Sequence, residues 1–107
     1  MFKIENQTIY LTRGDTAKFS PIIEDYEVQD GDLIVFTVKK VETDPTPAIR
    51  IEIAAEAEVE LTHEDTVNLP SGDYVYDLCL HGKDGRISTF INGEKLVLLG
   101  ELDNGRA

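Results

Sequence analysis

The sequence predicts an all-β fold, a β-sandwich of seven to eight short antiparallel strands with one helical turn near residues 63–68. Three observations lead there. Apolar and polar residues alternate with period two through most of the chain. Turn signals built on Gly, Asp, Asn and Pro recur at short, regular intervals between the alternating runs. A single segment departs from the alternation.

The strands follow in order. Residues 8–12 place Ile9 and Leu11 on one face, and 17–23 place Phe19 and Ile23. Residues 32–40 align Ile34, Phe36 and Val38, and 48–54 align Ile49, Ile51 and Ile53 against Arg50 and Glu52. In 57–62, Val59 and Leu61 face in while Glu58 and Glu60 face out. Tyr74, Tyr76, Leu78 and Leu80 share a face of 73–81. Ile87, Thr89 and Ile91 mark a short strand at 86–91, and Leu96, Leu98 and Leu102 mark the last one at 94–102. Arg13-Gly14-Asp15, Asp30-Gly31, Lys83-Asp84-Gly85-Arg86 and Ile91-Asn92-Gly93-Glu94 read as turns, the last two as hairpins. Thr43-Asp44-Pro45-Thr46-Pro47 reads as a stiff loop, since neither proline can donate to a ladder. The departure is 61–70. Thr62 is placed to cap a helical turn, Glu64 and Asp65 suit its positive end, and Pro70 stops it, so one turn is expected to bridge the two sheets. The tail 103–107 has nothing to bury and is expected to fray.

At 107 residues the chain is sized for one domain, with its core expected over 8–102. Its single cysteine, Cys79, cannot close an intrachain disulfide. The net charge of −11, from 21 acids and 10 bases, repels phosphate backbones and anionic membrane surfaces, so neither nucleic acid nor membrane is an expected partner. No apolar run approaches the ~20 residues that span a bilayer. Met1-Phe2-Lys3-Ile4-Glu5 lacks the basic-then-apolar pattern of a secretory signal, and folding in the cytoplasm is expected.

Several groupings invite chemistry. Asp77, Cys79 and His81 share one strand face, with neighbours ~7 Å apart and parallel, which is poor geometry for a nucleophile and its base. Adding His63 gives too few ligands at too wide a spacing for zinc. Asp30 and Asp32, with Glu24, Asp25 and Glu27 nearby, could form a weak calcium or carbohydrate loop; the competing account is a turn carrying solvated acids. Arg13-Gly14-Asp15 spells an adhesion tripeptide, but a β-turn accounts for the same letters. No phosphate-binding glycine loop occurs. No catalytic residue, metal or cofactor is expected.

A different signal lies on the strands that are apolar on both faces. Leu33 and Val35 fall opposite Ile34 and Phe36, and Val97 and Leu99 fall opposite Leu96 and Leu98. A strand apolar on both sides is covered on both sides, here by a loop or by another subunit, and subunit contact is the favoured reading because an isolated sandwich normally keeps one face wet. Leu33, Val35, Val97 and Leu99 are therefore the expected contact residues, for another protein or for a second copy.

Three stretches carry a resemblance: Thr8-Ile9-Tyr10-Leu11-Thr12-Arg13-Gly14-Asp15-Thr16-Ala17, the run from Asp30-Gly31-Asp32 to Phe36-Thr37-Val38-Lys39-Lys40, and Leu69-Pro70-Ser71-Gly72-Asp73-Tyr74-Val75-Tyr76-Asp77-Leu78. Their succession resembles the small β-sandwich domains of phage and prophage tail or baseplate proteins, in particular the N-terminal domain of baseplate upper proteins. The resemblance implies an Ig-like fold, a structural role in the virion, other tail proteins or self-association as partners, and no active site. It also implies a tight hairpin at Gly14-Asp15 and a hydrogen bond from Tyr74 or Tyr76 back to the backbone.

Overall fold

The computed structural model describes residues 1–21 and 28–100. Eight strands and one helical turn occupy them: β1 (Phe2–Glu5), β2 (Thr8–Thr12), β3 (Ala17–Phe19), β4 (Leu33–Lys39), β5 (Ile49–Ala54), β6 (Val59–Leu61), α1 (His63–Thr66), β7 (Gly72–His81) and β8 (Ile87–Leu99). The protein is all-β. Six strands form one sheet in the order β1-β2-β8-β7-β4-β5, and β3 pairs with β6 in a second.

Alternation decides which residues are buried. Ile9, Leu11, Ile34, Phe36, Val38, Ile49, Tyr74, Tyr76, Leu78, Leu80, Leu96 and Leu98 line one face of the large sheet, and Ala17, Val59 and Leu61 meet them from the small one in a single core. Aromatic rings tie the two sheets together. Phe19 of β3 stands edge-on to Phe36 of β4 at 5.6 Å, and Phe36 lies 5.6 Å from Tyr76 of β7. Contacts of this geometry add to the area they bury.

The helical turn forms as its cap predicts. The Asp65 carboxylate accepts the Thr62 backbone N–H at 2.8 Å, satisfying a donor at the helix start. The turn leads from β6 in the small sheet to β7 in the large one.

Four expectations need correction. The sheet is mixed, because β2 runs parallel to β8, with Ile9 opposite Leu96 and Leu11 opposite Leu98. Gly14-Asp15 does not close a hairpin, since β2 and β3 lie in different sheets. Instead the Gly14 N–H donates to Thr66 Oγ1 at 2.7 Å, His63 Nδ1 lies 2.8 Å from Gly14 O, and the Arg13 guanidinium donates to Leu69 O at 3.3 Å. The loop is docked on α1 and the segment after it. Asn92-Gly93 is no hairpin either. β8 runs unbroken from Ile87 to Leu99, and register shifts against β7 absorb Asn92-Gly93 and Phe90 as bulges. Gly93 has φ 72°, and its N–H donates to Asp77 Oδ1 at 2.7 Å. Finally, Phe2–Glu5 forms an edge strand, β1, joined to β2 through Asn6 and Gln7 at φ 50° and 68°.

Other boundaries are shorter than expected: the 17–23 strand is β3 (Ala17–Phe19), and the 57–62 strand is β6 (Val59–Leu61). Ile23, Leu102 and the tail 103–107 lie outside the described residues.

Candidate functional site

The face of the large sheet turned away from the core is the broadest surface on which the expected contact residues come together. Pairing registers fix its layout. Leu33 sits between Ala54 and His81, and His81 opposes Ile87. Val35 sits between Glu52 and Cys79, and Cys79 opposes Thr89. Farther along, Asp73 opposes Val97, Val97 opposes Tyr10 and Leu99 opposes Thr12. The four expected residues thus form two areas, Leu33 with Val35 and Val97 with Leu99. Thr37, Lys39, Glu42, Val75, Asp77 and Asn92 surround a shallow depression of about 140 Å³ between them.

The four are not equally available. Val35 is only 4% exposed, although it lies outside the core cluster. Its neighbours Glu52 and Cys79 flank it within the sheet. Leu33, Val97 and Leu99 are half-buried, and Ile87 beside His81 is 65% exposed. Charged side chains border the apolar areas: Arg50 with Glu52 at 3.5 Å, Lys95 with Asp73 at 3.6 Å, and the Lys3 ammonium 5.1 Å from the centre of the Tyr10 ring.

The chemical groupings separate. Asp77, Cys79 and His81 stand in file along β7, as their alternation requires. Asp77 is engaged with Gly93, and the Thr89 hydroxyl lies 3.6 Å from Cys79 Sγ. His63 is on α1, beside Gly14. Among the described residues no three His, Cys, Asp or Glu side chains gather as a metal site would need. Asp32 is buried, 3% exposed, and its carboxylate accepts N–H bonds from Gln29 at 2.9 Å and Lys83 at 3.1 Å. It ties the turn before β4 to the β7–β8 hairpin, a role for donors rather than cations. Glu24, Asp25 and Glu27 lie outside the described residues.

Both core tyrosines reach back to the backbone. Tyr74 donates to Pro70 O at 2.6 Å, and Tyr76 donates to Gln7 O. Burial pushes the Tyr76 phenol up to about 12, with the Glu94 carboxylate adding to the shift. Burial likewise raises Tyr74, against the opposing influence of Arg13.

One feature was not foreseen. A cleft of about 550 Å³ is lined by Ile4, Phe19, Pro21, Leu78, Phe90 and Ile91, with Gln7, Ser20 and Tyr76 supplying polar atoms. Its trace in the sequence is the pair Phe90-Ile91, adjacent apolar residues where alternation would bury only one. The bulge at Phe90 brings both against the core.

No helix among the described residues is long and apolar enough to cross a membrane. No family model matches the chain, and no curated protein and no solved structure matches it.

Proposed function

We propose that this chain is a non-enzymatic structural module of a phage or prophage tail or baseplate, with an Ig-like sandwich topology, that docks a neighbouring tail protein through the outer face of its large sheet. The observation that carries the docking is the pair of apolar areas at Leu33, next to the buried Val35, and at Val97–Leu99, on a face with no second layer among the described strands. A sheet face of this kind gains free energy when a partner covers it. The sandwich topology is supported by β3 and β6 packing across the core from the large sheet, and by the Tyr74 hydroxyl bonding Pro70 O four residues upstream, as in the tyrosine corner of such folds. The tail assignment is supported by the three-part sequence resemblance. A charge of −11 favours a protein partner over nucleic acid. On this reading the protein is made in the bacterial cytoplasm and carried into the virion.

Fractionation of phage particles induced from the native host tests it. The protein should co-sediment with tails, and the double variant Leu33→Glu with Val97→Glu should remain folded but leave the particle fraction. Wild-type protein found only among free cytosolic proteins would sink the assignment.

A further inference from the structure

The edge of the large sheet formed by β5 is self-complementary, and we propose that two copies of the chain pair there, β5 against β5 and antiparallel, about a two-fold axis through Ile51. β5 is the last strand of its sheet, and no described strand pairs with its outer side. Two backbone bonds fix which of its groups face outward. Ala55 N–H donates to Asp32 O at 2.9 Å, and Ala48 N–H donates to Val38 O at 2.7 Å. The even-numbered residues of β4 therefore turn their backbone toward β5. In the register that pairs Ile34 with Ile53 and Phe36 with Ile51, the odd-numbered residues of β5 answer them. Arg50 and Glu52 are left with their N–H and C=O groups directed at the open edge.

That alternation admits only a few self-pairings, and side-chain charge chooses among them. Centring the axis on Arg50 sets Arg50 against its own copy, and centring it on Glu52 sets two carboxylates together. Only the axis at Ile51 places each Arg50 opposite a Glu52. There the two residues form hydrogen-bonded pairs on both sides of the axis, with four backbone bonds in all. Opposite charges directly across such a pair are favourable and like charges are not. On the core face the same register sets Ile51 against Ile51 and Ile49 against Ile53. Ile51 and Ile53 are half-buried at the rim of the core, so a second copy would extend their cover. The opposite edge, β1, is the poorer candidate. It has four residues and runs directly into the positive-φ pair Asn6 and Gln7. A strand edge with open donors and acceptors is a template for such pairing unless its charges forbid it, and on β5 they specify it. This inference stands apart from the tail assignment and from the outer-face contact.

Sedimentation equilibrium of the full chain tests the pairing, run from micromolar to sub-millimolar protein in 0.15 M salt, where repulsion between the two acidic chains is screened beyond about 8 Å. The wild type should show a monomer–dimer equilibrium. Arg50→Glu and Glu52→Arg alone should each raise the dissociation constant about tenfold or more, because each makes both cross-strand pairs like-charged. The double exchange R50E/E52R should restore the dimer, and an equimolar mixture of the two single variants should form a heterodimer. Circular dichroism confirms that each variant is folded. A wild type that stays monomeric throughout, or a dimer indifferent to these exchanges, overturns the proposal.

Discussion

Asp77 and Gly93 face each other across the β7–β8 pair, the carboxylate of one accepting the backbone N–H of the other at 2.7 Å. The contact holds a bulge in place. Two residues of β8, Asn92 and Gly93, are accommodated opposite Asp77 alone, and the extra N–H would otherwise have no ladder partner. Asp77→Ala should lower stability by about 1–2 kcal/mol in urea denaturation. Gly93→Ala should cost about 1 kcal/mol or more, since its φ of 72° disfavours a side chain. The new Cβ would also meet Glu42 Oε1 at 2.8 Å, a contact the end of that side chain can relieve by moving.

Thr66 is 1% exposed, and its hydroxyl accepts the Gly14 N–H at 2.7 Å. Thr66→Val keeps the shape and removes the acceptor, so the cost should be about 1–3 kcal/mol, the desolvation penalty of an unpaired amide. Thr66→Ser should retain most of that stability. A loss in Thr66→Ser with none in Thr66→Val would show that the methyl group, and not the hydrogen bond, is what matters.

Asp32 provides the sharpest separation between a structural acid and a cation ligand. With its oxygens accepting the Gln29 and Lys83 N–H groups, Asp32→Ala should destabilise by about 2–3 kcal/mol. Calcium should leave the wild-type melting temperature unchanged, because the carboxylate is occupied by donors. A calcium-dependent rise that disappears in Asp32→Ala would reverse this assignment.

Tyr76 sets the alkaline limit. Its phenol ionises near 10 when unfolded and at about 12 in the fold, where burial and Glu94 both oppose the phenolate. The folded state therefore holds its proton longer than the unfolded state. The resulting stability is complete below about pH 10 and is lost as pH rises toward 12. Spectrophotometric titration of the folded protein should show late-ionising tyrosine absorbance whose last component is missing in Tyr76→Phe. That variant should also lose about 1 kcal/mol with the hydrogen bond to Gln7 O.

Much of this architecture can be read from alternation alone. β4, β5 and β7 fall where Ile34-to-Val38, Ile49-to-Ile53 and Tyr74-to-Leu80 place them, and Thr62 starts the helical turn. The errors share a physical cause. Asn92-Gly93 satisfies a hairpin and a bulge equally well, because both need a residue at positive φ; only the partner strand distinguishes them. Arg13-Gly14-Asp15 specifies a change of direction but not which sheet the chain enters next. β1 is short, and its pattern Phe2-Lys3-Ile4-Glu5 becomes a strand because β2 lies beside it. The expected contact residues are legible as apolar positions on the outward side, which is where the sheet places them. The burial of Val35 is not, since it depends on what β5 and β7 set beside it.

Pairing β2 with β8 joins residues near opposite ends of the described chain, Ile9 with Leu96 and Thr12 with Leu99. During synthesis β2 must wait for almost everything else to emerge before it can find its neighbour, and the entropy of closing so long a loop is met before any reward. Acquisition of the finished sheet should be slow, on the order of milliseconds to seconds. Any product cut short before residue 96 would leave β2 and the matching stretch of β7 without their shared neighbour, exposing adhesive backbone to other unfinished chains.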